Sequence, residues 1–187
     1  KKQGKIRYYG VSVETVEEGL LCLEQPNVDS LQVIFNIFRQ KPLDQLLPKA
    51  KEKGVGILAR VPLASGLLTG KFNIGTKFES DDHRNFNQDG SAFNVGETFA
   101  GLGLEKGVEL AGKLEWIAEG RENMTRAALK WILEHEEISC VIPGFKTVAQ
   151  VKDNLQAVNV SAYTGEEMQK LAKFYMQDVH SEIKGVY

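Results

Sequence analysis

An α/β fold of parallel strands covered by helices is what this chain predicts. Two observations carry that expectation. Short segments rich in Val, Ile, Leu and Phe recur at residues 31–36, 55–61 and 138–142. Each is apolar at successive positions, as a strand buried on both faces reads. Between and after them lie segments with apolar residues at helical spacing. The repeat is one of pattern, since no stretch of sequence recurs.

The elements follow in order. Residues 6–11 (IRYYGV) are rich in β-formers and predict a first strand. Residues 14–25 carry helical spacing through Val16, Leu20, Leu21 and Leu23, with Ser12 as candidate cap. Pro26-Asn27 breaks the chain before the strand at 31–36. A helix over 44–53 should end at Gly54 and start irregularly because of Pro48. The third strand is 55–61. Residues 71–97 are polar, without sustained period, and predict a long loop; such loops are usually functional or disordered. Helices are expected over 104–119 and 125–135, the second capped by Asn123 or Thr125. The fourth strand, 138–142, leads into a helix from Thr147 to about Ala157. The tail, 164–179, reads as an amphipathic helix. Its Thr164-Gly165-Glu166-Glu167 start matches a capping box.

The chain has 187 residues, 42% hydrophobic and 26% charged, which suits one globular domain or two. A formal charge of -2, with Lys and Arg scattered, gives no electrostatic case for nucleic acid or an anionic membrane. No run approaches the ~18 apolar residues of a membrane helix. The basic start, Lys1 to Lys5, is followed by no signal-peptide hydrophobic region, and reads as a chain beginning in mid-fold. Cys22 and Cys140 lie inside apolar patterns and are expected as small buried hydrophobes, which points to a reducing, cytoplasmic setting.

Two strand-end loops carry the chemistry. Ile142 to Asn154 reads as a strand stopped at Pro143-Gly144 that restarts as a helix at Lys146-Thr147. A helix N-terminus leaves backbone N–H groups unpaired and favours an anion. Gly144, Phe145, Lys146, Thr147, Gln150 and Asn154 could together hold a phosphate and a nucleotide's polar edge; the ordinary alternative is a plain turn with a surface lysine. After the third strand come Pro62, Leu63, Ala64, Ser65, Gly66, Leu67, Leu68, Thr69, Gly70 and Lys71. Its glycines permit close backbone approach, and Ser65, Thr69 and Lys71 supply hydroxyls and a cation. The spacing is not that of the phosphate loop of nucleotide hydrolases. In eight-stranded α/β barrels, however, the loops after the last two strands frequently build a phosphate site.

These segments together resemble the C-terminal half of an aldo-keto reductase. Residues 4–12 (GKIRYYGVS) are similar to the family's fifth-strand segment and residues 31–36 (LQVIFN) to its sixth. Pro62 to Lys71 resembles the seventh-strand loop, and Ile142 to Asn154 the eighth-strand signature. The match runs in order over essentially all of the chain. It implies a TIM (β/α)8-barrel, present here as the C-terminal four strand–helix units in a single domain over 1–187. Residues 71–97 would be a long active-site and cofactor loop.

The resemblance further implies NADP as cofactor and a small carbonyl compound as substrate. Ser12 and Gln32 would hydrogen-bond the nicotinamide carboxamide. Pro62, Leu63, Ser65, Gly66 and Leu67 would line the pyrophosphate, with Lys71 as a nearby cation. Lys146 and Thr147 would meet the 2′-phosphate, and Gln150 and Asn154 that phosphate or the adenine. Two positions depart from the family pattern. Val13 stands where Asn is common, and Arg60 where many members stack an aromatic ring on the nicotinamide; a guanidinium can also stack.

The family's Asp, Tyr, Lys and His tetrad belongs to its N-terminal half. None of the five tyrosines here, nor His83, His135 or His180, lies in that context, so no catalytic residue is assigned. Asp81-Asp82-His83-Arg84 has no second histidine at ligand spacing, so no metal is expected, and Arg84 is expected to be a solvated loop arginine. The missing half of the barrel or a second copy is the expected partner. The alternative function is a non-catalytic NADP-binding or regulatory half-barrel.

Overall fold

The computed structural model describes residues 1–187. Four parallel strands, β1 (Gly10–Ser12), β2 (Ser30–Ile34), β3 (Gly56–Arg60) and β4 (Ile138–Val141), lie in the order of the chain. Helices α1 (Val16–Leu23) and α2 (Leu46–Glu52) follow β1 and β2. After β3 come α3 (His83–Phe86), α4 (Leu104–Gly112) and α5 (Met124–Leu133). After β4 come α6 (Val148–Leu155) and α7 (Gly165–Phe174).

β1 is shorter than the expected 6–11. Its first ladder partner is Ser30, the start of β2, so Ile6 to Tyr8 have no strand beside them. A Cβ at Gly10 would overlap Ser30, so only glycine fits that crossing. Ser12 is not the cap of α1. The ladder runs on through Val13, whose N–H donates to the Gln32 carbonyl, and Thr15 caps the helix in a capping box with Glu18. Gly54, at φ 67°, follows α2 as expected. Pro48 sits in the first turn of α2, where its missing N–H costs no helical bond. Asn123 caps α5 and Thr164 caps α7 in a capping box. The helix expected over 104–119 divides into α4 and a 3-10 turn at Glu115–Ala118. The tail helix widens after Phe174 into a π turn, Tyr175–Val179.

One face of the sheet packs on the helices. Leu31, Val33, Phe35, Ile57 and Ala59 join Leu46, Leu47, Ala50, Ala127, Ala128, Trp131 and Ile132 in the core. Each buried Leu, Ile, Val or Phe among them contributes about 1.5–3 kcal/mol by leaving water, and each Ala methyl about 0.8 kcal/mol. The other face overturns the expectation of strands apolar on both sides. The register aligns Ser12, Gln32, Leu58 and Cys140 across it, and Gly10, Ser30 and Gly56 one step earlier. Side chains alternate along a strand, so this second set is mostly small or polar. Cys140 is exposed and Cys22 half-buried, not the buried pair expected; both are free thiols. No helix is long and apolar enough to cross a membrane.

Candidate functional site at the C-terminal edge of the sheet

All four strands point the same way, so the segments that follow them leave one edge of the sheet. Ser12 and Gln32 are ladder partners there, and the Ser12 hydroxyl donates to Gln32 Oε1 at 3.3 Å. Gln32 is half-buried, and Ser12 is exposed on the open face.

Arg60, the last residue of β3, lies between two carboxylates. Its Nη2 donates to Glu14 at 2.9 Å and to the Val13 carbonyl at 3.0 Å, and its Nη1 pairs with Glu97. Glu14 follows β1, and Glu97 closes the long loop. Asn36 lies beyond the end of β2. It is fully buried, donating to the Val61 carbonyl at 2.9 Å and accepting from the Phe38 N–H at 2.9 Å. It therefore fixes the β3 loop to the β2 loop.

The β3 loop is built from backbone that side chains rarely adopt. Val61, Ala64 and Ser65 have φ of 51°, 48° and 57°, and Gly66 has 103°. Such strain, about 1–3 kcal/mol per non-glycine residue, persists only where the surroundings enforce it. They do so here. Ser65 Oγ donates to the Glu97 carbonyl at 2.8 Å and accepts from the Phe99 N–H at 3.0 Å. Pro62 and Leu67 are buried, and Leu63 packs on the core. A Cβ on Gly66 would lie 2.7 Å from the Phe72 ring, so the long loop rests directly on this turn. Lys71 is exposed.

That loop has more structure than its composition announces. Asp82 caps α3 and binds Arg84 at Nε and Nη2. Its hydrogen bonds to Arg84 hold the Asp82 carboxyl well below the usual carboxylate range. Arg84 is thus no solvated arginine; it also stacks over Phe78, 4.5 Å from the ring centre. No group of three or more His, Cys, Asp or Glu is placed to hold a metal ion.

After β4, Gly144 has open space around it and Phe145 is exposed. Thr147 caps α6, and Gln150 completes the capping box, its Oε1 accepting from Lys146 N at 2.6 Å and Thr147 N at 3.2 Å. Asn154 Nδ2 reaches back to the Gly144 carbonyl at 3.5 Å. Lys146 is exposed and makes no ion pair, whereas Arg60, Arg84 and Arg126 all do.

The predicted residues thus fall into three clusters on one sheet edge: Ser12, Gln32 and Arg60; Pro62 to Lys71; and Gly144 to Asn154. Glu14, Asn36, Arg39 and Glu97 belong to the same edge and were not singled out from sequence. Asn36 and Arg39 did leave a signal, as polar residues inside an apolar run.

Four parallel strand–helix units with the loops of interest at the C-terminal strand edge define a portion of a (β/α)8-barrel protein. The chain belongs to the aldo/keto reductase family: residues 1–176 match its profile, described as "Aldo/keto reductase family". Members of this family are oxidoreductases that use nicotinamide cofactors. The chain is 28% identical over 180 residues to the uncharacterized oxidoreductase YqkF of Bacillus subtilis, covering 96% of this chain and 54% of that protein. It is 29% identical to the L-glyceraldehyde 3-phosphate reductase of Escherichia coli O157:H7, covering 91% of this chain and 49% of that protein. Among solved structures it resembles the glycerol dehydrogenase AKR11B4 from Gluconobacter oxydans. There the TM-score is 0.72 at 26% identity, over 100% of this chain and 54% of that one. The chain spans about half the length of the relatives it matches.

Proposed function

We propose that this chain is the cofactor-binding half of a cytoplasmic, NADP(H)-dependent carbonyl reductase. The observation that carries the reading is the exposed, unpaired Lys146 at the capped start of α6, on the same sheet edge as the strained β3 loop. A cation with no acid partner at a helix N-terminus suits a terminal phosphate.

The residues fit the cofactor in parts. Ser12 and Gln32 offer the carboxamide a hydroxyl and an amide on an open face. Pro62, Leu63, Ser65, Gly66 and Leu67 bring backbone close to the pyrophosphate, with Lys71 beside them and the 71–97 loop closing above. Gly144 and Phe145 leave room beside α6; Lys146 and Thr147 take the 2′-phosphate, and Gln150 and Asn154 that phosphate or the adenine edge. Arg60 would lie beside the ring system, with its guanidinium held by Glu14 and Glu97. When bound there, a nicotinamide would supply the hydride for a carbonyl carbon. The proton for the carbonyl oxygen comes from outside this chain. Tyr163 is committed to the Ala127 carbonyl at 3.0 Å, and Tyr175 and Tyr187 bind each other at 3.0 Å. The partner is the complementary half of the barrel or a second copy.

Calorimetric titration with NADPH and NADH tests the cofactor. A charge-assisted contact to the extra phosphate is worth roughly 1.5–3 kcal/mol, so NADPH should bind at least about tenfold more tightly. Equal affinities would remove the assignment. This chain alone should not reduce a reactive aldehyde, since a positioned general acid contributes ~10²–10⁴-fold.

A further inference from the structure

Arg39 is the most unusual charge in the molecule. It is 1% exposed, and its Nε, Nη1 and Nη2 have no hydrogen-bond partner. Buried charges are ordinarily paired, because an unpaired one is costly to desolvate. Burial draws this guanidinium's pKa down to about 10.

Its position is fixed by the turn that carries it. The Arg39 N–H donates to the Asn36 carbonyl at 2.8 Å, and Asn36 is itself pinned to the β3 loop. The next residue, Gln40, donates to the Ile37 carbonyl at 2.9 Å and the Leu171 carbonyl at 3.2 Å. Across from it, a Cβ at Gly96 would overlap Nη1, so glycine there makes room for the guanidinium. The turn follows β2, on the same edge as Gln32.

Two other groups face Arg39. Glu14 lines the same small cavity; its Oε2 is buried without a partner, its other oxygen serves Arg60, and its charge already attracts Arg39, so it is the anion an incoming one must displace. That cavity is about 10 Å³, room for a single water. One water accepts at most two of the five guanidinium donors. On the remaining side the Tyr187 ring lies 4.4 Å from Arg39 Cζ. A ring face attracts the cation but satisfies none of its N–H groups. Tyr187 is only half-buried and is held by separable contacts. Its hydroxyl meets Tyr175 at 3.0 Å, and its carbonyl oxygen accepts from Lys41 at 2.6 Å. Gly185, at φ 79°, is a ready hinge two residues before it.

We infer that Arg39 anchors an oxyanion, a phosphate or carboxylate, carried by the carbonyl substrate, and that Tyr187 is the cover this oxyanion displaces. The inference rests on the carbonyl-reductase reading and adds the substrate class to it. The planar fork of Arg39 matches an oxyanion with two donors at once. Lys41, released from the Tyr187 carbonyl, keeps its ion pair with Glu17 at 3.0 Å and stands beside the opened site.

The test uses the full chain with ¹⁵N-labelled arginine, following the Nε–Hε signals by NMR. Inorganic phosphate and acetate are titrated separately at matched ionic strength. Arg39→Met identifies the Arg39 signal, and Tyr187→Ala removes the cover. The Arg39 signal should shift with anion, and Tyr187→Ala should bind about tenfold more tightly than the unaltered chain. A shift with phosphate alone assigns phosphorylated substrates; a shift with acetate alone assigns carboxylated ones. In Arg39→Lys, binding should weaken while charge is kept. No shift of Arg39 in Tyr187→Ala with either anion overturns the inference. So does equal anion affinity in Arg39→Met, judged by calorimetry. NADPH affinity should be unchanged in Arg39→Met. A chain that binds NADPH but no anion loses this inference alone, and one that binds the anion but no NADPH loses only the cofactor reading.

Discussion

Arg60, at the end of β3, is ion-paired with Glu97, at the far end of the 71–97 loop. The pair ties a loop with little core of its own to the mouth of the strand bundle. It works with Ser65, whose hydroxyl takes both the Glu97 carbonyl and the Phe99 N–H.

Replacing Glu97 with Gln should loosen that loop first. Arg60 keeps Glu14 and the Val13 carbonyl, so the buried charge is not orphaned. The expected cost is about 1–3 kcal/mol, that of a charge-assisted bond made neutral. Urea unfolding should show a lower midpoint, and limited proteolysis should cut faster between residues 71 and 97. An unaltered midpoint together with an unaltered cleavage pattern would show that Ser65 alone holds the loop.

Lys146 should set cofactor choice without supporting the fold. It is exposed and touches no acid, so Lys146→Ala should leave thermal stability within about 0.5 kcal/mol. The same change should reduce NADPH affinity about tenfold or more and leave NADH affinity nearly unchanged. Gln150→Ala is the contrasting variant. Its Oε1 holds the Lys146 and Thr147 N–H groups, so losing it should cost about 0.5–2 kcal/mol of stability. A Lys146→Ala chain that keeps its preference for NADPH would place the phosphate elsewhere.

Much of this was legible because it is local. The Thr164 capping box, Gly54 after α2 and the parallel strand–helix order depend on residues near one another in sequence. So does the start of α6. The Ser12 cap failed because β1 runs one step further, and that is decided by β2, some twenty residues on. The polar face of the sheet was obscured by density of Val, Ile and Leu. Alternation assigns Leu31, Val33, Ile57 and Ala59 to the helix side and leaves Ser12, Ser30, Gln32 and Cys140 on the other, with Ile34 and Leu58 among them. The burial of Arg39 could not be read locally. It requires Gly96 from the long loop and Tyr187 from the last segment to meet one turn after β2.

His135 should give the fold a pH dependence. Its ring packs against Trp131 at 4.7 Å and Phe35 at 5.2 Å between centres, and its Nε2 has no partner. Burial lowers its pKa below the ordinary histidine value, against the weaker pull of Glu137 and Glu134. The unfolded chain therefore takes up the proton first. Stability is full above about pH 6.5 and falls as pH drops from there towards the folded pKa, by at most ~1.4 kcal/mol per pH unit. Urea midpoints from pH 7.5 to 5 should show this slope, and His135→Gln should flatten it. An equal slope in both chains would assign the effect to other groups.

The two edges of the sheet should drive association. Ile142, Phe145, Val148, Leu155 and Val158 are exposed along β4 and α6, and Ile6, Tyr8, Tyr9 and Leu21 beside β1 and α1. Strand edges with unpaired backbone groups recruit further strands, and a closed barrel has none. The face between the edges is less apolar than strands buried on both sides would make it, so the pull comes from the edges and α6. Covering five such side chains, which are already part-buried, would contribute about 4–9 kcal/mol before the cost of association, a pull towards a complementary half or a second copy. Sedimentation at micromolar concentration should find dimers or larger species, and Val148→Lys with Leu155→Lys should shift them towards monomer. A monodisperse monomer that binds no hydrophobic dye would mean that these edges are stable in water as they stand.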